Sequence, residues 1–276
     1  MLLDWLKSRL APDAFAWLEE KAALLATGAP EKTVSIAFST SLRYSGKAPL
    51  GLGSADLQTA AAAIPGWNPS DWTCDQAARI FLLTCLPADA ASARIMDRLY
   101  ETADVGEALA LQKALAVLPN PDGHMARARE AIRSNIKAVF EAIALRNPYP
   151  AALFDEVGWN QMVVKTFFVE SPVNEITGID RRVNPPLARM LSDLAHERWA
   201  AGRAFSPQLW RCVGPCADDR GLEDLKKVLS LDAPAEKRAA VLALASCPNP
   251  RAALILQAEP ALAAAARAGS LTWENI

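Results

Sequence analysis

Apolar residues recur along this chain at helical rather than strand spacing. Leu2, Leu3, Leu6 and Leu10, then Ala14, Trp17, Leu18 and Leu25, predict two opening helices split near Pro12. The spacing predicts a third helix over 33–42. Gly46, Pro49, Gly51 and Gly53 then predict a loop, with Ser54 capping a helix over 55–64 that Pro65-Gly66 ends. Asn68-Pro69-Ser70-Asp71 starts another helix, which runs to about Leu86 before Pro87. Helices follow over 92–102, 106–118, 122–135 and 136–145. Proline sits repeatedly at their starts and stops, where its missing N–H does no harm.

Residues 107–121 (EALALQKALAVLPNP) align without gaps on 236–250 (EKRAAVLALASCPNP), with eight of fifteen positions identical, the Pro-Asn-Pro turn among them. A helix, a proline turn and a second helix form the unit of a helical-pair solenoid. The fold expected is therefore all-α: an irregular HEAT-like helical-repeat stack (α-solenoid) of antiparallel helix pairs. Nothing in the linkers forces a second domain, so 1–276 is read as one domain, with N-terminal helices over 1–103 and helical pairs over 104–276.

Composition agrees. Alanine, the best helix former, supplies 54 of 276 residues, and 51% of the chain is apolar. The formal charge of −2 offers no basic surface for nucleic acid. Asp4, Lys7 and Arg9 break the N-terminal apolar run before a signal-peptide core forms, and no stretch is long enough to cross a bilayer. The five cysteines suggest a reducing cytoplasm rather than a disulfide framework. Cys212 and Cys216 could share a helix face as metal ligands, but no second pair completes a zinc site, so small buried residues are the expectation. The first helix could lie on a membrane through Leu2, Trp5, Leu6 and Leu10, yet it carries both charge signs, which favours packing in a core.

One segment breaks the pattern. Residues 153–187 hold no alanine, where one in five would give about seven, and instead carry Phe154, Trp159, Met162, Phe167 and Phe168. The helix over 155–169 is apolar nearly all round and is expected to be buried, with a bend at Gly158. Asn160 and Lys165 then need partners or a ligand. The next helix, 184–201, opens on Asn184-Pro185-Pro186 and turns Leu187, Met190, Leu191, Leu194 and Ala195 inward with Arg198 at their centre. Arg198 either snorkels or meets a carboxylate, for which Asp155, Glu156 and Asp180 are candidates. Arg181-Arg182, just before this helix, either hold an anion or form a solvated turn. Trp159, Asn160, Lys165, Asp180 and Arg198 are thus one candidate polar site for a small amphipathic metabolite, or a buried network that sets helix register.

Other motifs are weaker. His196-Glu197 lacks the second histidine of a zinc-peptidase helix, since position 200 is Ala200, and His196 is read as a surface residue. His124 has no metal partner in view. Asp218-Asp219 with Asp224 is spaced wrongly for a magnesium–diphosphate motif and reads as helix capping. No Gly-rich phosphate loop follows a strand, and no Gly-x-Ser-x-Gly elbow occurs.

The string NPYPAALFDEVGWNQMVVKTFFVESPVNEITGIDRRVNPPLARMLSDLAHERWAAGR, followed by PQLWRCVG, resembles the EboA family. The likeness is specific over 147–214, looser over 107–146 and 222–257, and weakest before Asp104. It implies a helical-repeat protein that works with a UbiA-like membrane prenyltransferase, a sugar-phosphate-cyclase-like enzyme, a TatD-like hydrolase and a TIM-barrel isomerase-like protein. It implies a role in moving secondary-metabolite precursors towards the periplasm. It carries no catalytic residue and no cofactor. Its distinctive positions here are Asn147, Asp155, Trp159, Asn160, Lys165, Asp180, Arg181, Arg182, Asn184, His196, Glu197, Arg198 and Arg203. The function expected is a non-enzymatic cytoplasmic adaptor or scaffold for pathway proteins, at the inner face of the membrane where the prenyltransferase sits. The alternative is a small-molecule-binding protein or enzyme using Asn160, Lys165, Asp180 and Arg198.

Overall fold

Proline begins many of the helices because its fixed φ suits the first turn and its missing N–H is one that the turn leaves unused. The computed structural model describes residues 1–276 and holds seventeen α-helices and no strand. A single bridge pairs Pro49 with Thr73. No helix is long and apolar enough to cross a membrane. The chain forms two compact units, Met1–Phe154 and Asp155–Ile276.

The first unit contains α1 (Leu2–Lys7), α2 (Pro12–Ala26), α3 (Glu31–Ser45), α4 (Ser54–Ala63), α5 (Cys74–Thr84), α6 (Ala90–Thr102), α7 (Val105–Ala114), α8 (Met125–Arg133), α9 (Lys137–Ala144) and α10 (Tyr149–Leu153). Helix α5 is its axis and packs on α1, α2, α3 and α7. Every residue from Cys74 to Ile80 is buried, including the ion pair Asp75–Arg79 at 2.5 Å. Arg79 also donates to the Phe38 carbonyl and Asp75 accepts from Thr73 Oγ1, so both charges are hydrogen-bonded as burial requires. Trp5 and Leu6 are buried, so α1 packs into the core rather than presenting its apolar face to a membrane. Several boundaries shift from the sequence reading, two of them at the starts of α4 and α5. Gly53, not Ser54, is the N-cap of α4, and Asp56 closes that turn by accepting from the Gly53 amide. Residues 71–73 stay outside α5, which starts after Thr73.

The second unit contains α11 (Glu156–Phe168), α12 (Pro185–Ala200), α13 (Leu209–Val213), α14 (Asp219–Leu229), α15 (Pro234–Ser246), α16 (Pro250–Ile255) and α17 (Pro260–Arg267). Helix α15 is its centre, against α13, α14, α16 and α17. The closest approach is at Gly214, where a Cβ would stand 2.6 Å from the Ala243 Cα and would also strike the Ala243 carbonyl oxygen. Only glycine lets the two backbones meet there.

The aligned stretches 107–121 and 236–250 fall one in each unit, and their burial coincides. Ala110, Leu111, Gln112, Ala114 and Leu115 are buried in the first copy. Their counterparts Ala239, Ala240, Val241, Ala243 and Leu244 are buried in the second.

Candidate functional site

The alanine-free segment folds around α11 and α12. Asp155 caps α11 by accepting from the Gly158 amide at 2.8 Å, which puts Gly158 in the first turn rather than at an interior bend. Trp159, Met162 and Val163 are fully enclosed and Phe167 is buried. The helix is not buried all round, however. Val157 and Phe168 are 64% and 60% exposed, and with Gln161 and Val164 they form one outward stripe at i, i+4, i+7 and i+11.

The polar residues singled out by sequence are placed in separate pairings. Asn160 is buried and exchanges two amide hydrogen bonds with Asn184, at 3.0 and 2.8 Å. Asn184 Oδ1 also accepts from the Leu187 amide, so the N-cap of α12 is bolted to α11. Asp180 instead meets Arg211 of α13 through a two-pronged pair at 2.5 and 2.6 Å. Arg211 is nearly enclosed, and it was not among the sequence candidates. Its only signal was a lone cation next to Trp210, which the chain does not distinguish from a surface arginine. Arg182 lies over the Trp159 ring, 4.6 Å from its centroid, and burial lowers its pKa against the opposing pull of Asp155 and Glu156. Arg181 is exposed. The two arginines of 181–182 thus face different environments.

Lys165 is half-buried, and burial pulls its pKa below the ordinary lysine range. Arg198 takes the snorkelling course: it donates to the Phe168 carbonyl at 3.3 Å and its guanidinium sits 5.7 Å from the Phe168 ring centre. It meets none of the carboxylates Asp155, Glu156 or Asp180. Of its stripe, Leu187, Leu191, Leu194 and Ala195 are buried but Met190 is 38% exposed. The structure therefore brings Asn160 to Asn184, Asp180 to Arg211, Arg182 to Trp159 and Arg198 to Phe168. Asn160, Asp180 and Arg198 thus each bond a different partner.

His196 is exposed, and its Nε2 lies 2.7 Å from the Asp224 carboxylate, which is buried. Asp218 caps α14 by accepting from the Gly221 amide. Cys212 and Cys216 do not share a helix face, because α13 ends at Val213 and a 3₁₀ turn with Pro215 follows. Burial raises the Cys212 thiol to about 12, which keeps it protonated. No three His, Cys, Asp or Glu side chains come together as a metal-binding group.

A further concavity lies in the first unit, where no sequence candidate pointed. It measures about 350 Å³, within the range typical of small-molecule pockets. Leu83, Leu86, Met96 and Leu118 form its buried wall, and Asp89, Asn120 and His124 supply polar atoms. Asp89 caps α6 by accepting from the Ser92 amide, which holds its carboxyl below the usual range. His124 Nε2 lies 3.1 Å from the Pro119 carbonyl, an acceptor, so that nitrogen carries the proton. Tyr149 secures the turn from α10 by donating to the Pro121 carbonyl at 2.6 Å, and burial raises its phenol to about 12.

The family model described as "Metabolite traffic protein EboA" matches residues 1–214. The match takes in the N-terminal helices, where the sequence likeness is weakest, and ends at Gly214 of the second unit, short of the 222–257 helices. Neither the curated proteins nor the solved structures give a match. A match over residues 1–214 of 276 covers well over half the sequence, and the chain belongs to the EboA family.

Proposed function

We propose that this protein is a non-enzymatic adaptor in metabolite traffic, a HEAT-like helical scaffold that docks other proteins of a secondary-metabolite pathway. It would act in the cytoplasm, at the inner face of the membrane, and deliver precursors for passage to the periplasm. The carrying observation is the outward stripe of α11. Val157 and Phe168 stay exposed while Asn160 and Asp180 of the same segment are engaged with Asn184 and Arg211. An exposed aromatic ring under an arginine, here Phe168 beside Arg198, has the composition of an interface anchor. The family description supports the traffic role. The alternative, a small-molecule protein or enzyme using Asn160, Lys165, Asp180 and Arg198, has less support, because Asn160, Asp180 and Arg198 each bond a different partner.

The test is co-expression with the UbiA-like prenyltransferase and the cyclase-like enzyme that the family resemblance implies. A stoichiometric complex is expected, lost in a Val157→Asp/Phe168→Asp variant whose helicity and melting are unchanged. A chain that stays alone with both proteins present, or a complex indifferent to the variant, overturns the reading.

A further inference from the structure

The two Pro-Asn-Pro turns share a sequence and differ in conformation. At 248–250 Asn249 is extended (φ −71°, ψ 125°), and its side chain accepts from the Arg251 amide, so α16 starts at once from Pro250. At 119–121 Asn120 is left-handed (φ 53°, ψ 59°) and makes no cap. The chain there passes through a 3₁₀ turn, Pro121–His124, and α8 is delayed to Met125. Left-handed backbone is costly for most residues and tolerated by asparagine, so the local sequence permits this turn without requiring it. Among the positions that differ just after the turn, one bears on its shape. Gly123 stands where the second copy has Ala252, which is buried in α16. A Cβ on residue 123 would come within 2.8 Å of Asn120 Nδ2. Glycine makes room for the Asn120 amide to fold over the turn.

The left-handed turn has a geometric consequence. Leu118, Pro119, Asn120 and His124 of this turn line the 350 Å³ cavity together with Leu86 and Asp89 of the α5–α6 corner. At about 30 Å³ for each water, that space is equivalent to about a dozen water molecules, enough for a compact organic molecule. The buried leucines and Met96 offer no hydrogen bonds, so the inner part suits a hydrocarbon body. Asp89 is the one acidic side chain of the lining, which holds no lysine or arginine. The Asp89 carboxylate accepts from the Ser92 amide and is also held by the Ser92 hydroxyl, the Ala91 amide and the charge of Arg94, yet an ionised carboxylate offers about four acceptor sites in all. A carboxylate or phosphate on the ligand would be repelled by Asp89, whereas an ammonium would be attracted.

We propose that this cavity is a binding site for a small apolar amine, its hydrocarbon part against Leu83, Leu86, Met96 and Leu118 and its ammonium at Asp89. The site is independent of the docking stripe on α11, and each can fail without the other.

The experiment uses three probes of one shape, cyclohexylmethylamine, cyclohexylmethanol and cyclohexanecarboxylate, titrated into the full-length protein and followed by backbone amide chemical shifts. Saturable shifts are expected at residues 83–96 and 118–124 with the amine, at least tenfold weaker affinity for the carboxylate, and the alcohol in between. Asp89→Asn keeps the helix cap, since asparagine caps as well as aspartate. It should lower amine affinity about tenfold and leave the alcohol unchanged. Ala93→Trp, from an exposed lining position, should abolish binding of all three with helicity intact. Absence of saturable amine binding, equal affinity for amine and carboxylate, or retention of binding in Ala93→Trp overturns the proposal.

Discussion

The stretches 107–121 and 236–250 show how far a local pattern controls structure. Their helices bury the same register, Ala110 to Leu115 against Ala239 to Leu244, because period and side-chain volume decide which face a helix buries. Their turns part company over an identical Pro-Asn-Pro. In the first copy Asn120 shapes a cavity wall, whereas in the second Asn249 caps a helix. Helix faces are set by many residues acting together, and a turn is set by one or two.

The comparison can be broken most severely at its shared core. Leu115→Ala and Leu244→Ala each remove an enclosed side chain at matched positions, 2% and 1% exposed. Each should cost about 2–5 kcal/mol in denaturant unfolding. A large effect at one and none at the other would break the equivalence of the two helices.

Gly214→Ala tests what the second copy's helix tolerates. The added methyl meets the Ala243 backbone, which cannot rotate away, and a loss of about 2–3 kcal/mol is expected in thermal or denaturant melts. Asn160→Ala should cost about 1–3 kcal/mol, because it strands the Asn184 amide that orients the α12 cap. An unchanged melting curve there would remove the register role assigned to the pair.

Smaller effects sharpen the contrast between the turns. Tyr149→Phe deletes the hydrogen bond to the Pro121 carbonyl and should cost about 1 kcal/mol. The pH dependence has a definite sign. The folded phenol titrates at about 12, above its ordinary value of 10.0, so its contribution is full below pH 10 and lost as pH rises towards 12. The phenylalanine variant should lack that part of the alkaline loss, readable as a difference between the two stability–pH curves. Gly123→Ala should change stability by less than about 1 kcal/mol, because the atom it meets is the movable end of Asn120. Its effect should appear instead as shifted amides at 118–124 and weaker probe binding in the cavity.

Much of the helical pattern was legible in the chain. Starts such as Pro12 and Pro250 announce themselves because proline suits the first turn of a helix. Asn184 and Asp218 were legible as caps, because capping is a contact between near neighbours. The segment 153–187 was legible as unusual in composition, but its pairings were not. Asp180 and Arg211 are 31 residues apart, and nothing local to Asp180 distinguishes Arg211 from Arg182 or Arg198 as its partner. Nor could periodicity reveal that α11 leaves Val157 and Phe168 uncovered, since an apolar residue in sequence does not say whether another element covers it.

By itself the sequence determined most of the helices, caps such as Asn184 and Asp218, the buried register of the matched stretches and the EboA membership, all of which follow from near-neighbour chemistry or from an ordered string of residues. Tertiary structure alone decided which charges meet, which apolar face stays open, and that one Pro-Asn-Pro turn walls a cavity while the other does not. Those outcomes depend on which groups from distant parts of the chain arrive at the same place, and a linear pattern carries no such distances.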